Sequence, residues 1–421
     1  MHAAVTCKSS TDTRRLLARR VGSAAAAWDA AEDSFDMATL NSQAAERSEF
    51  RDPETGRRVM RWTSSPAKDQ HLYFTSHSVT KDGAHLLFVS ERSGSPNLHV
   101  IDRNSGAIRQ LSHADAMLRA YCYPSGGMRG FSKATPYLDV ERNLAYWVQD
   151  DRAWRCPLES GGSPEKLADL PAQWYTGFTH VSPDGGTFCV PCADPRAFHE
   201  QDATQHDQLQ RVPWRMIESG LVTRLCMIDT RTGGIRDEVE IPFWVTHVQF
   251  DPKGTGRLVF NCEGAYKDRS FPYWGRTWKL DTNGDWSRLF EEAADEWVCH
   301  ENWSPDGDSL VYHGNRSGKP FIAARNWDGE LLFDHDTAGV HVCHAITTPD
   351  PHRFTTDSED GYVHLYDFDQ PPGQRDTRLC RHNTSYTTQD EHAHPIMNPD
   401  RRGVVFTSDA AGTCDVYEAV L

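Results

Sequence analysis

The sequence predicts an all-β protein folded as a seven-bladed β-propeller, interrupted by one short helical insertion. Three observations predict it. An aspartate-centred turn motif recurs seven times, short β-rich runs follow the copies, and one strand-like segment stands alone ahead of the first copy. Self-similarity of this kind marks a repeat architecture whose units bury their faces against one another.

The copies run in order through Lys81-Asp82-Gly83, Leu138-Asp139-Val140-Glu141-Arg142-Asn143, Ser182-Pro183-Asp184-Gly185, Asp251-Pro252-Lys253-Gly254, Ser304-Pro305-Asp306-Gly307, Thr348-Pro349-Asp350 and Asn398-Pro399-Asp400. Proline presets φ and Asp-Gly supplies the reversal, so each copy reads as a tight turn between antiparallel strands. Strands such as His85–Ser90 and Asn97–Asp102 follow, then a turn such as Asn104-Ser105-Gly106 and a last strand. The segment Arg57–Trp62 is the strand left over at the start. It is expected to supply the outer strand of the last blade, whose own sequence stops at Leu421 with too few strands. Residues 195–221 are poor in β-branched side chains and read as a helical insertion. Residues 1–50 are rich in Ala, Ser, Thr and charge, show a helical pattern only near Ala24–Ala31, and read as a loosely ordered extension to a propeller domain over 51–421.

The chain has 421 residues, 44 Lys+Arg against 60 Asp+Glu, and a net charge of −16. That balance argues against nucleic acid or an anionic membrane surface as partner, because both require basic surface. No run of 18 apolar residues occurs, and the Arg14–Arg20 region leads into an apolar stretch too short for a secretory signal, so a cytoplasmic location is expected. Eleven cysteines, an odd number, fit reduced and buried thiols; Cys189-Val-Pro-Cys192 has no second pair to complete a zinc site.

Histidine is in excess, at 20 residues, ten of them from His300 onward. In a propeller the strand before each such turn lines the central channel. Reading back from the turns gives His77, His180, His247, His300, His344 and the pair His392/His394, so six of seven innermost strands carry a histidine. His300, His344 and His394 each lie six residues before their aspartate, which predicts imidazoles at one height. His392-Ala393-His394 places two imidazoles on one strand face. With Gln389 and His300 they make a candidate N/O metal site, whose ligand softness leaves Mn, Fe, Zn and Ni open. Arg276, in Trp274-Gly-Arg-Thr-Trp278, is a candidate for a substrate carboxylate, and His180 and His344 for sugar hydroxyls. The acidic clusters at Glu291–Glu296 and Asp357–Asp360 read as solvated turns.

At these residues the sequence resembles the oligogalacturonate lyase family, seven-bladed propellers that act on pectate oligomers. The resemblance runs from about Thr55 to Leu421 and is carried by Glu296-Trp-Val-Cys-His-Glu-Asn-Trp-Ser-Pro-Asp-Gly307, Gln389-Asp-Glu-His-Ala-His-Pro395, Arg381-His-Asn-Thr-Ser-Tyr386 and Val404–Asp409. It implies a manganese ion on His300, Gln389, His392 and His394, His247 as catalytic base, and Arg224 at the substrate carboxylate. Where family members tend to read Cys-His-Glu-Gly, this chain has Asn261-Cys262-Glu263-Gly264, and the first 50 residues have no counterpart.

The chemistry implied is β-elimination of short, anionic oligogalacturonides such as digalacturonate and its unsaturated form, giving 5-keto-4-deoxyuronate. The proton on C5 is weakly acidic, so a neutral imidazole must remove it while cations stabilise the enolate-like intermediate. A lyase for a different 4-linked uronate shares these needs. A non-catalytic TolB-like propeller shares the Ser-Pro-Asp-Gly turns but has no use for the His/Gln set. A propeller joined to a serine hydrolase is excluded, since Gly-x-Ser-x-Gly is absent.

Overall fold

A computed structural model describes residues 43–113, 135–159, 162–199, 201–202, 204–264, 267–337, 342–371 and 373–421. They build seven antiparallel sheets arranged as the blades of a propeller. From the innermost strand outward, blade 1 contains Asp69–His71, His85–Ser90, Asn97–Asp102 and Ile108–Gln110. Blades 2, 4, 5 and 6 repeat this four-stranded order, beginning at Tyr137, Val248, Glu296 and Val342. In blade 3 the inner strand is split into Tyr175–Thr176 and His180–Val181, both paired with Thr187–Ala193.

The seven aspartates do one job. Asp82, Asp139, Asp184, Asp251, Asp306, Asp350 and Asp400 each accept, through Oδ1, the backbone N–H two residues ahead, at 2.8–3.2 Å. The carboxylate thus satisfies an amide that the reversal would otherwise strand. In the degenerate copy, Asn143 takes the left-handed conformation (φ 52°) that glycine takes in others.

The ring closes as the leftover strand predicts. Arg58–Arg61 pairs antiparallel with Asp415–Val420, with Val59 opposite Ala419 and Arg61 opposite Tyr417. The Arg61 guanidinium grips the buried Asp415 carboxylate at 2.5 Å. Ser48–Arg51 then adds a fifth strand outside it. Most of the expected extension over 1–50 lies outside the described residues; at its end, Gln43 bridges Ile108 and Ser48 begins this strand.

The insertion is helical over Gln205–Ser219 (α1), preceded by a 3-10 turn at Pro195–Ala197. Thr204 caps its N-terminus by accepting from the Asp207 N–H, and Gly220 ends it at φ 61°. Val212 and Met216 of α1 pack with Tyr73, Phe74, Phe178 and Trp244, so the apolar face of the helix is anchored on the channel lining. No described helix is long and apolar enough to cross a membrane.

Candidate active site and metal centre

Three imidazoles, His344, His392 and His394, bring one ring nitrogen each to within 4.8 Å of one another. His300 stands beside them, its ring centroid 4.4 Å from that of His344. The backbone is bent to achieve this. The pairing register shifts between Cys299 and Asn302 and again between Val342 and His344, and bulges of this kind re-aim side chains. His300 and His394 take left-handed φ of 53° and 43°, a conformation costly for a non-glycine residue. The regular strand expected at His392–His394 is not there: strand pairing begins at Ile396, and the strained turn at His394 makes the two rings converge. Gln389 opens the 3-10 turn Gln389–Glu391 that runs into His392.

Hydrogen bonding orients His344 within the cluster. His344 Nδ1 is 2.9 Å from both oxygens of Asp357, while its buried Nε2 has no hydrogen-bond partner. Burial would push the Asp357 carboxyl up, but His344, His382 and His392 around it hold it well below the usual carboxylate range. It therefore accepts and Nδ1 donates, which leaves Nε2 as the nitrogen that can face a metal. A converging set of imidazole nitrogens, one of them oriented by a buried carboxylate, suits a divalent transition metal.

His247 is buried as well, 4% exposed. Its ring stacks on Phe178 at 4.4 Å and 5°, its Nε2 is 3.2 Å from the Tyr73 hydroxyl, and its Nδ1 is 2.9 Å from Thr246 Oγ1. Burial, and then the Arg276 charge, hold its pKa well below the ordinary value, so it is neutral near pH 7. Tyr73 and Phe74 span the gap to the metal cluster: Tyr73 is 4.8 Å from His394, and Phe74 is 5.4 Å from His300, ring to ring.

Arg276 is no surface residue. It is 2% exposed and sits between carboxylates, with Nε 2.9 Å from Glu301 and Nη1 3.7 Å from Glu263. Arg224 is the second residue of the third strand of blade 3, level through Cys192 with Thr176 of the inner strand, over the Trp174 ring and 3.3 Å from the half-exposed Glu240. His180 is placed apart from the metal cluster. It lines a cavity of about 430 Å³ at the turn end of the channel, with His77, Tyr137, Phe250, Trp303 and Ile346. Burial pushes His180 down to about 3 and His77 to about 4.

Two sequence readings are corrected. Asp357 is no solvated turn residue but fully buried beneath His344, and Glu292 is 6% exposed, accepting from the Arg276 backbone N–H at 2.5 Å. Charge clusters look alike whether they face solvent or a buried cation. Tyr73, Phe74, Thr246 and Glu263 also went unseen; Glu263 alone had a signal, in the Asn261-Cys262-Glu263-Gly264 segment.

Known proteins resemble this chain in sequence and in fold. The family model for oligogalacturonate lyase matches residues 40–327. An oligogalacturonide lyase of Pectobacterium atrosepticum is 23% identical over 395 residues, covering 88% of this chain and 95% of its own. An oligogalacturonate lyase of Dickeya dadantii is 23% identical over 396 residues, with the same coverage. The solved structure of an oligogalacturonate lyase in complex with manganese superposes with a TM-score of 0.75 at 21% identity, covering 90% of this chain and 97% of that one. That of an oligogalacturonate lyase from Vibrio parahaemolyticus gives 0.74 at 19% identity, covering 90% and 98%. With a family model matched over more than half its length, the chain belongs to the oligogalacturonate lyase family.

Proposed function

We propose that the protein is a metal-dependent lyase that cleaves short oligogalacturonides, digalacturonate and its unsaturated form among them, by β-elimination to 5-keto-4-deoxyuronate. The observation that carries this reading is the pairing of a buried neutral imidazole, His247, with a cluster of histidines across the Tyr73–Phe74 aromatic bridge. His344, His392 and His394 would hold the cation, with His300 and Gln389 as its further ligands. Manganese is the ion named for a structural relative. When bound, a divalent ion supplies Lewis-acid stabilisation of charge on the C6 carboxylate and orients the sugar.

The residues of the chain do the rest. His247 removes the C5 proton, for which a neutral base in a desolvated site is suited. The electron pair left at C5 delocalises into the carboxylate and then forms the C4–C5 double bond as the C4–O bond breaks; the expelled oxygen takes up one proton to become a hydroxyl of the released sugar, and His247 returns its proton to solvent when the products leave. Burial, and then the charge of Arg276, keep His247 deprotonated at rest. Arg224 exchanges its exposed partner Glu240 for a substrate carboxylate, which its planar fork can bind in bidentate fashion. Phe178, Tyr73 and Phe74 exclude water around the base.

The test is purified protein with digalacturonate, with and without chelator, following the ultraviolet absorbance of unsaturated uronide together with product chromatography. Activity that is lost on chelation, restored by manganese and reduced roughly 100- to 10,000-fold in His247→Ala is expected. Full activity in chelator, or in His247→Ala, overturns the mechanism.

A further inference from the structure

We infer that Thr246, Asn261 and Glu263 form a hydrogen-bond relay that fixes His247 as its Nδ1–H tautomer, which makes Nε2 the basic nitrogen and turns its lone pair toward Tyr73. The inference rests on the reading of His247 as the base. Its three relay residues are positioning residues, acting through His247.

The assignment comes from counting hydrogens. All three relay side chains are buried, with Thr246 and Asn261 at 0% and Glu263 at 4% exposure, so each must be satisfied within the protein. The Asn261 amide can point only one way, because its Oδ1 accepts the backbone N–H groups of Thr246 at 2.9 Å and of His247 at 2.8 Å. Its Nδ2 then donates one hydrogen to Thr246 Oγ1 at 2.9 Å and the other to Glu263 Oε2 at 2.8 Å. A threonine hydroxyl has one hydrogen and two lone pairs. The hydrogen goes to Glu263 Oε2, 2.8 Å away, in preference to Asn261 Oδ1, which is 3.2 Å away and already holds two donors. One lone pair takes the Asn261 hydrogen. The other faces His247 Nδ1 at 2.9 Å, and only an N–H can fill it. The opposite tautomer would set two lone pairs against each other where no water can intervene.

The consequence is a defined direction for proton transfer. The C5 proton moves to Nε2, Nδ1–H is kept throughout, and the positive charge formed on the ring is balanced through Thr246 by Glu263, whose Oε2 is 4.0 Å from Nδ1. The Tyr73 hydroxyl, 3.2 Å from Nε2, donates to that lone pair in the resting site and has to give it up when C5–H approaches. A base oriented by a third group is the arrangement that makes an imidazole competent in other enzymes.

The experiment is ring-nitrogen NMR on the full chain labelled with 15N-histidine, the His247 signals being identified by their loss in His247→Gln, combined with steady-state kinetics on digalacturonate. Thr246→Ser retains the hydroxyl; Thr246→Val keeps the shape and removes it. In the parent and in Thr246→Ser, Nδ1 is expected protonated and Nε2 bare. In Thr246→Val the Nε2–H tautomer should appear and kcat fall at least about 10-fold with KM within about twofold, a loss inside the range that general-base catalysis supplies. Should Thr246→Val not fold, Glu263→Gln reads the same relay through the same split of kcat from KM. An Nε2–H signature in the parent, or equal kcat and spectra in the Val and Ser variants, overturns the inference. If the parent shows Nδ1–H but eliminates no galacturonide, the assigned reaction fails and the relay stands.

Discussion

His344 Nδ1 lies 2.9 Å from each carboxylate oxygen of Asp357, with both side chains buried, so the acid dictates which nitrogen of the imidazole is left for a metal. Such outer partners raise the basicity of a ligand and fix its ring, and their loss typically costs about 10- to 100-fold in metal affinity. Asp357→Asn is accordingly expected to weaken manganese binding by about that factor, while His344→Ala weakens it further. Calorimetric titration of the metal-free protein measures both, and unchanged affinity in Asp357→Asn would show that the pair has no part in holding the ion.

Metal binding also bears on stability, because the histidines converge only in the folded ring. An ion at about 100 times its dissociation constant stabilises the native state by about 2.7 kcal/mol. A thermal scan should show a rise in Tm on adding manganese, reversal by chelator, and no rise in His392→Ala or His394→Ala. The same rise in either variant would place the binding elsewhere.

Glu292 gives a pH-dependent term of known sign. Burial raises its carboxyl from 4.5 to about 7, against the backbone N–H and charge of Arg276, which pull the other way. The folded protein thus binds this proton more tightly than the unfolded chain does. The stabilisation is complete below about pH 4.5 and is lost as the pH rises through about 7, a difference of roughly 3 kcal/mol. Glu292→Gln keeps an oxygen for the Arg276 N–H and carries no charge. In urea unfolding it should be more stable than the parent by roughly that amount at pH 8 and equal to it near pH 4. Equal stability at both values would contradict the assignment.

Ring closure can be tested at Arg61. Its partner Asp415 is fully buried, and burial raises that carboxyl to about 6 despite the guanidinium. Breaking a buried pair costs about 3–5 kcal/mol; with Arg61 partly exposed, Arg61→Met should cost roughly 2–3 kcal/mol in chemical denaturation. Asp415→Asn in the same background should recover part of the loss at pH 8, where the unpaired buried carboxyl must either hold its charge or take up a proton from an alkaline solution. No recovery would mean that the pair contributes through packing alone.

The repeat itself was legible because its turns are local. An aspartate that satisfies an amide two residues ahead leaves a mark at fixed spacing, seven times over, and the closing strand at Arg58–Arg61 was visible as the one segment without a repeat to belong to. The same register aligned His300, His344 and His394, whose rings do converge. The sequence by itself therefore determined the architecture, the helical insertion and the histidine lining of the channel. Only the tertiary structure decided that His344 stands with His392 and His394 in one cluster, that Asp357 and Glu292 are buried, that His180 lines the cavity at the turn end, and that Thr246, Asn261 and Glu263 meet at His247. Those relations join residues from different blades or turn on bulges and left-handed φ values at single positions. Period-two alternation cannot anticipate them, because a bulge changes where one side chain points without changing the pattern around it.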